Sequence, residues 1–297
     1  MRILITGGTG LLGKALIETN KDLHQIWAIY LGNYNMSNGK KVMYFNVDIC
    51  NKDALEDTFF KAKPEIVIHT AGTANVDYCE NNYDQAWRSN VYGTKSIIDF
   101  CKKYNSKIVF ISTNAVFDGK NEPYSEESIP SPINNYGRMK LETEKIVKNS
   151  SLKYIIARPI LMYGWNNKYE RLNMVTWLIQ KLENEEKINM VDDVYENPLF
   201  NLRCAETIWL LIKIDKEGLF HIAGKDVVSR YEFAKTIAKV FCLNQDLIRP
   251  VSSDFFRDLA PRPSNTSYNT TKIERELKIR PLGIKDGLLL MRKTQRE

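Results

Sequence analysis

The chain has 297 residues, 43% of them hydrophobic, and a formal charge of +6 carried by lysines scattered among acids. That supplies the core of one large domain or two modest ones. No run of like charge and no basic aromatic stripe is present, which argues against a nucleic-acid surface, while the mild positive balance suits an anionic ligand such as a nucleotide.

Met1 leads directly into an apolar strand, with no leader-like segment and no apolar span of membrane length, so a cytoplasmic protein without membrane contact is expected. Arg2 to Thr6 is a short β-branched run that ends in Gly7-Gly8-Thr9-Gly10-Leu11-Leu12-Gly13, followed by an amphipathic segment to about Asn20. Strand, glycine turn and helix are the context that a dinucleotide fingerprint requires. Gly7 permits the tight turn, Gly10 lets the backbone approach a pyrophosphate, and Gly13 lets the helix pack close to the strand. The phosphates belong at the helix N-terminus, where free amides and the helix dipole favour negative charge.

Gln25 to Tyr30 reads as the second strand, after which an NAD site commonly places an acid for the ribose 2′-hydroxyl. Here Leu31-Gly32-Asn33-Tyr34-Asn35 follows, without an acid, which favours NADP(H) and leaves NAD(H) open. Val42 to Val47 is a third strand ending at Asp48-Ile49, and Asn51 caps a helix to about Lys61. The fourth strand, Glu65 to Thr70, ends in Ala71-Gly72-Thr73, small residues against which a ligand can lie. A helix from about Asp84 to Lys103 contains Asn90. The fifth strand, Lys107 to Ser112, delivers Ser112-Thr113 at its carboxyl end, the ligand edge of an open parallel sheet. The segment from Asp118 to Asn135 reads as a mobile surface connection.

Tyr136 and Lys140 then stand one helical turn apart, so phenol and ammonium share a face. A cation at about 4 Å in an effective dielectric of about 20 favours a phenolate by roughly 4 kcal/mol, which makes the tyrosine a usable acid near neutrality. A sixth strand runs from Tyr154 to Ala157 and ends in Arg158-Pro159. Beyond Tyr163 the strand and helix alternation loosens into a smaller lobe broken by Pro250, Pro261, Pro263 and Pro281. Lys187 to Val191 and Leu219 to Ala223 read as its strands. Its helices are near Asn173 to Leu182, Arg203 to Ile214, Arg230 to Phe241 and Thr271 to Leu277.

The five cysteines, Cys50, Cys79, Cys101, Cys204 and Cys242, are far apart and lack metal-ligand spacing, so they read as reduced, buried thiols. His24, His69 and His221 lie in or beside apolar runs and read as structural. No metal site is expected.

Taken together, Thr6-Gly7-Gly8-Thr9-Gly10-Leu11-Leu12-Gly13, Asp48, Ala71-Gly72, Asn90, Ser112-Thr113 and the Tyr136/Lys140 pair resemble the extended short-chain dehydrogenase/reductase family. Ser112 to Gly119, Pro132 to Glu142 and Pro261-Arg262-Pro263 resemble its dTDP-4-dehydrorhamnose reductase branch. The resemblance covers essentially the whole chain. It implies an α/β fold, a Rossmann-type doubly wound parallel sheet with a smaller C-terminal α/β substrate lobe. Residues 1–163, completed by a helix near 201–214, would bind the dinucleotide, and 164–297 would mainly bind substrate.

By the same resemblance Thr113 hydrogen-bonds a substrate carbonyl, Tyr136 protonates it, and Lys140 lowers the Tyr136 pKa and holds the nicotinamide ribose. Gly7, Gly10, Leu11, Leu12 and Gly13 take the pyrophosphate, Asp48 and Ile49 the adenine, and Ala71, Gly72 and Thr73 the adjoining ribose and phosphate. Asn90 steadies the active-site helix, and Asn114 lies near the sugar; Arg262, stiffened by Pro261 and Pro263 on either side, is expected from its own chemistry to grip the anionic part of the sugar nucleotide. The implied activity is NAD(P)H-dependent reduction of a nucleotide-linked 4-keto-6-deoxysugar, and a homodimer is compatible with it. The branch usually has Asp after the catalytic Thr and a Trp after the sixth strand. Asn114 and Arg158 to Gly164 depart from this near the sugar. Dehydratases of the superfamily carry an Asp-Glu pair where this chain has Asn114-Ala115, which disfavours elimination. Two rivals remain: a regulatory subunit resembling the methionine adenosyltransferase β subunit, and an epimerase that retains NAD.

Overall fold

The structure, a computed structural model, describes residues 1–297 apart from 22, 35, 167–169, 257–258 and 295–297. Asn35, the last residue of the acid-free stretch after the second strand, lies outside the described residues.

The first half alternates strand and helix. Strand β1 (Arg2–Thr6) leads through the glycine turn to helix α1 (Leu11–Thr19), followed by β2 (Gln25–Tyr30), β3 (Val42–Asn46), α2 (Lys52–Ala62) and β4 (Ile66–His69). Asn51 caps α2 as expected, its side chain accepting from Ala54 N at 3.2 Å. After β4 comes α3 (Val76–Asn81), and the helix expected from about Asp84 to Lys103 follows as α4 (Tyr83–Trp87) and α5 (Gly93–Tyr104), joined through a π-helical turn at Arg88–Tyr92. The widened turn places Asn90 where its side chain grips Thr73 from both sides, as acceptor from Thr73 N at 2.9 Å and donor to Thr73 O at 3.1 Å. Strand β5 (Lys107–Ile111), helix α6 (Asn135–Lys148) and β6 (Tyr154–Pro159) complete this half.

In the second half come β7 (Met162–Tyr163), α7 (Met174–Glu183), β8 (Ile188–Val191), β9 (Tyr195–Glu196), β10 (Leu199–Phe200), α8 (Asn201–Lys213), β11 (Gly218–Ile222), β12 (Val228–Ser229), α9 (Arg230–Val240), β13 (Ile248–Val251), α10 (Thr271–Leu277) and α11 (Ile284–Lys293). Neither α3 nor α11 was legible as a separate helix.

Seven strands form one parallel sheet in the order β11-β6-β5-β4-β1-β2-β3. The chain winds outward from β1 in both directions, so the crevice between β1 and β4 at the carboxyl edge is the topological switch point. Strands β1, β4 and β5 are apolar on both faces because helices cover both sides. Helix α8 packs on α1, and Trp209 Nε1 donates to Leu16 O at 3.1 Å.

Three expectations are corrected. Leu219 to Ala223, read as a strand of the smaller lobe, is essentially β11, the edge strand of the central sheet beside β6; a strand that short carries no local signal of which sheet it joins. The segment from Asp118 to Asn135 is packed rather than loose. Tyr124 is 2% exposed and stacks on Phe117 at 4.1 Å, and Glu126 accepts from His221 N at 2.9 Å. Of the cysteines, Cys79, Cys101 and Cys204 are buried, but Cys50 is only partly covered and Cys242 is exposed.

The smaller lobe has its own core, in which Val175 and Leu178 of α7 meet Phe233 and Ile237 of α9 and Leu288 of α11. Among the described residues no helix is long and apolar enough to cross a membrane.

Candidate active site

A cleft of roughly 780 Å³ runs along the carboxyl edge of the sheet, with the β1 and β4 turns at one end and the smaller lobe at the other. At the first end Gly7 has φ +70°, and a Cβ on Gly13 would stand 2.1 Å from Gly7 O. Only glycine at both places lets α1 press its N-terminus against the turn. Gly10, the residue before α1, brings no side chain to cap the first amides, which leaves them to a ligand. Gly7, Gly10, Leu11 and Leu12 line the cleft, whereas Gly13 lies behind it and acts through packing.

Asp48, Ile49, Ala71, Gly72, Thr73 and Asn90 also line the cleft. Asp48 Oδ1 accepts from Cys50 N at 2.9 Å, which fixes the carboxyl at the end of β3. Below the turn after β4, the buried His69 bonds Thr6 Oγ1 at 2.6 Å and Thr94 Oγ1 at 2.9 Å, and burial pushes its pKa down to about 3. A neutral imidazole bridging two hydroxyls is structural, as its sequence context indicated. His221, also buried, is likewise structural.

In the middle of the cleft Thr113, Tyr136 and Lys140 come together. Asn134 caps α6, accepting from Gly137 N at 2.8 Å. A Cβ on Gly137 would lie 2.0 Å from Ala115 O, so the glycine after Tyr136 is what lets α6 approach the segment holding Thr113. Burial pushes the Tyr136 phenol up to about 12, and Thr113 draws it back in part. The sequence argument for a phenol lowered by Lys140 is therefore corrected in this state. The ammonium donates to Ile111 O and sits 4.2 Å from the centre of the Phe110 ring; burial brings Lys140 down to about 8, opposed by Glu144. Spacing on a helix shows that two residues share a face, but not which neighbour claims the charge.

A family described as RmlD substrate binding domain matches residues 1–295. The chain belongs to this family. The dTDP-4-dehydrorhamnose reductase of Aggregatibacter actinomycetemcomitans is 29% identical over 293 residues, covering 94% of each chain. Methionine adenosyltransferase 2 subunit beta of Bos taurus is 28% identical over 279 residues, 92% of this chain and 81% of the relative. Among solved structures, a dTDP-4-dehydrorhamnose reductase from Bacillus anthracis str. Ames in complex with NADP matches with TM-score 0.86, 28% identity and 99% coverage of both chains. A UDP-glucose 4-epimerase from Thermus thermophilus has TM-score 0.87 at 19% identity, covering 98% of this chain and 97% of the other, which speaks for the fold alone.

At the far end of the cleft this RmlD-family chain presents Arg171, Arg230, Arg262 and Glu196. Arg262, expected to face substrate, does line the cleft, but it is also tied down. Its Nη2 donates to Asp77 Oδ2 at 2.7 Å and its Nη1 to Ala260 O at 2.8 Å. Asp77 Oδ1 also accepts from Ala260 N at 3.0 Å, and the Arg262 guanidinium beside it lowers its pKa. Asn134 Nδ2 meanwhile donates to Pro261 O at 3.0 Å, so the strap around Arg262 is bound to α3 and to the start of α6.

Asn114 reaches the cleft as expected, with its amide held by Glu196 and Thr266. Of the residues after the sixth strand, Pro159 to Met162 line the cleft, whereas Arg158 is buried beneath it. Sequence reasoning missed Arg171, Glu196 and Arg230, which stand on or beside short elements of the smaller lobe. The one available signal was the clustering of charge next to apolar positions at Tyr195-Glu196 and Arg230-Tyr231.

Proposed function

We propose that this chain is an NADP(H)-dependent reductase of a nucleotide-linked 4-keto-6-deoxysugar, acting as the dTDP-4-dehydrorhamnose reductases it resembles. The observation that carries this reading is the placement of Tyr136 beside Thr113 in the cleft that begins at the glycine turn. A phenol pushed up to about 12 keeps its proton throughout the neutral range, as a donor to a ketone oxygen must.

The cleft fits a dinucleotide: uncapped amides at α1 for the pyrophosphate, Asp48 and Ile49 for the adenine end, and the narrow floor of Ala71, Gly72 and Thr73. A reduced nicotinamide bound there supplies the hydride for the carbonyl carbon. Thr113 holds the carbonyl oxygen, Tyr136 gives it a proton, and Lys140 offers its ammonium to the ribose side while restoring the proton balance. Asn90 keeps the floor rigid through Thr73. The stretch after Tyr30 has no acid at Leu31, Gly32 or Asn33, which supports NADPH over NADH. Three arginines at the far end suit the pyrophosphate of a sugar nucleotide.

In this reading 1–163 with α8 is the dinucleotide domain, the remainder mainly receives the sugar nucleotide, and the protein works in the cytoplasm, with a homodimer compatible with the fold. Asn114-Ala115 supplies no acid pair for elimination. The likeness to methionine adenosyltransferase 2 subunit beta is close in identity, 28% against 29% for the reductase.

The test is NADPH oxidation followed against a panel of nucleotide-linked keto-sugars that includes dTDP-4-dehydrorhamnose. Turnover with loss of NADPH is expected. Stoichiometric capture of a methionine adenosyltransferase catalytic chain without any turnover would favour the regulatory reading, and sugar inversion without NADPH loss would favour an epimerase.

A further inference from the structure

Glu196 stands at the end of β9, 6% exposed, with its carboxylate at the wall of the cleft. Its Oε1 accepts from Asn114 Nδ2 at 3.0 Å, and its Oε2 accepts from Arg230 Nη2 at 3.3 Å. The other proton of the Asn114 amide goes to Thr266 Oγ1 at 2.7 Å. Both donors are thus used on the smaller-lobe side, and the amide oxygen is turned towards the catalytic strand end. There it accepts from Thr113 Oγ1 at 3.3 Å. Thr113 Oγ1 also accepts from Ala115 N at 3.2 Å.

The direction of this chain depends on Glu196. Rotating the Asn114 amide by half a turn would set its oxygen 3.0 Å from a carboxylate oxygen, acceptor against acceptor. Glu196 therefore selects one amide orientation, and that orientation gives the Thr113 proton an acceptor at 3.3 Å, long enough to be exchanged for a substrate carbonyl.

The pairing also bears on position 114. An Asp at 114 would put a second carboxylate against Glu196, at the 3.0 Å contact that the Asn114 amide now makes.

We propose that Glu196 is a positioning residue for the reduction, acting through Asn114 to orient the Thr113 hydroxyl, and that Asn114 and Glu196 form a matched pair. The inference rests on the reductase reading for its kinetic consequence, though not for the pairing itself. The charged and titratable groups facing Glu196 are Arg230 at the start of α9 and Tyr268, which is buried nearby, with Thr266 and Asn114 as neutral partners.

The experiment compares Asn114→Asp, Glu196→Gln and the double exchange. Each single variant should lower kcat by about tenfold or more, the usual scale for a lost hydrogen bond to a charged group, with NADPH affinity unchanged. The double exchange restores one carboxylate and one amide and should recover most of that loss. Melting temperature is read on the same proteins as a function of pH. In Asn114→Asp two carboxylates face each other, so that variant loses stability relative to wild type as pH rises above the ordinary carboxylate range; the double exchange lacks that slope.

Wild-type kcat in Glu196→Gln, or losses that simply multiply in the double exchange, would overturn the positioning role. If the wild-type protein reduces no keto-sugar, the reductase reading falls, and the melting slopes decide the pairing alone: a slope in Asn114→Asp that the double exchange abolishes supports it, and equal slopes refute it.

Discussion

Arg158 and Glu144 meet through two parallel hydrogen bonds, Nε to Oε1 at 2.7 Å and Nη2 to Oε2 at 2.6 Å, with side chains 1% and 0% exposed. The same carboxylate accepts from Ser112 Oγ, so α6, β6 and the end of β5 are joined beneath Thr113, Tyr136 and Lys140. Arg158 Nη1 also lies 3.3 Å from His221 Nε2, which links the edge strand β11 to the group.

Removing one member of such a pair leaves a buried charge without compensation, and about 3–5 kcal/mol of stability is the expected loss. Glu144→Ala and Arg158→Met should each show it in urea denaturation. The combined variant should lose less than the sum, since no unpaired charge remains. Single variants within 1 kcal/mol of wild type, taking that threshold as roughly the worth of a surface pair, would contradict the buried-pair description.

Tyr136→Phe keeps the packing of the ring and removes the proton. Turnover should fall by about 10² to 10⁴ while NADPH affinity stays nearly unchanged. Stopped-flow measurement of NADPH oxidation under single-turnover conditions provides the check, and near wild-type hydride transfer would remove Tyr136 from the mechanism.

Lys140 has a folded pKa brought down to about 8 from 10.5, so the unfolded chain binds more protons between those values. Stability attributable to this group is present above pH 10.5 and is lost as pH falls through about 8. Lys140→Met should therefore be relatively more stable than wild type at pH 7 than at pH 10.5, as melting curves at the two values will show. Because the ammonium is also expected to hold the ribose, the same variant should lose both rate and cofactor affinity.

Arg262→Ala should raise the Michaelis constant for the sugar nucleotide by more than about tenfold, the loss of a bidentate anion contact. Asp77→Asn keeps the guanidinium but loosens its anchor, and a smaller increase is expected. NADPH affinity should change in neither. An Arg262→Ala variant with an unaltered Michaelis constant would make the arginine a tie for the strap alone.

Much of this protein was determined by local sequence. Alternating apolar runs placed the first six sheet strands to within a few residues, because a strand covered on both faces must be continuously apolar. The glycine spacing from Gly7 to Gly13 located the turn at one end of the cleft, since few other residues can tolerate such close backbone contacts. Thr113, Tyr136 and Lys140 were legible because each sits at a strand end or a helix start whose position the chain itself announces. The partner of each polar group was left to tertiary structure. Lys140 is claimed by Ile111 O rather than by the phenol four residues away, β11 joins the central sheet across a long excursion, and Asn114 is oriented by Glu196 from the other lobe. These choices depend on which groups burial brings together and which acceptors it leaves, and spacing along a chain carries no information about partners that arrive from elsewhere in the fold.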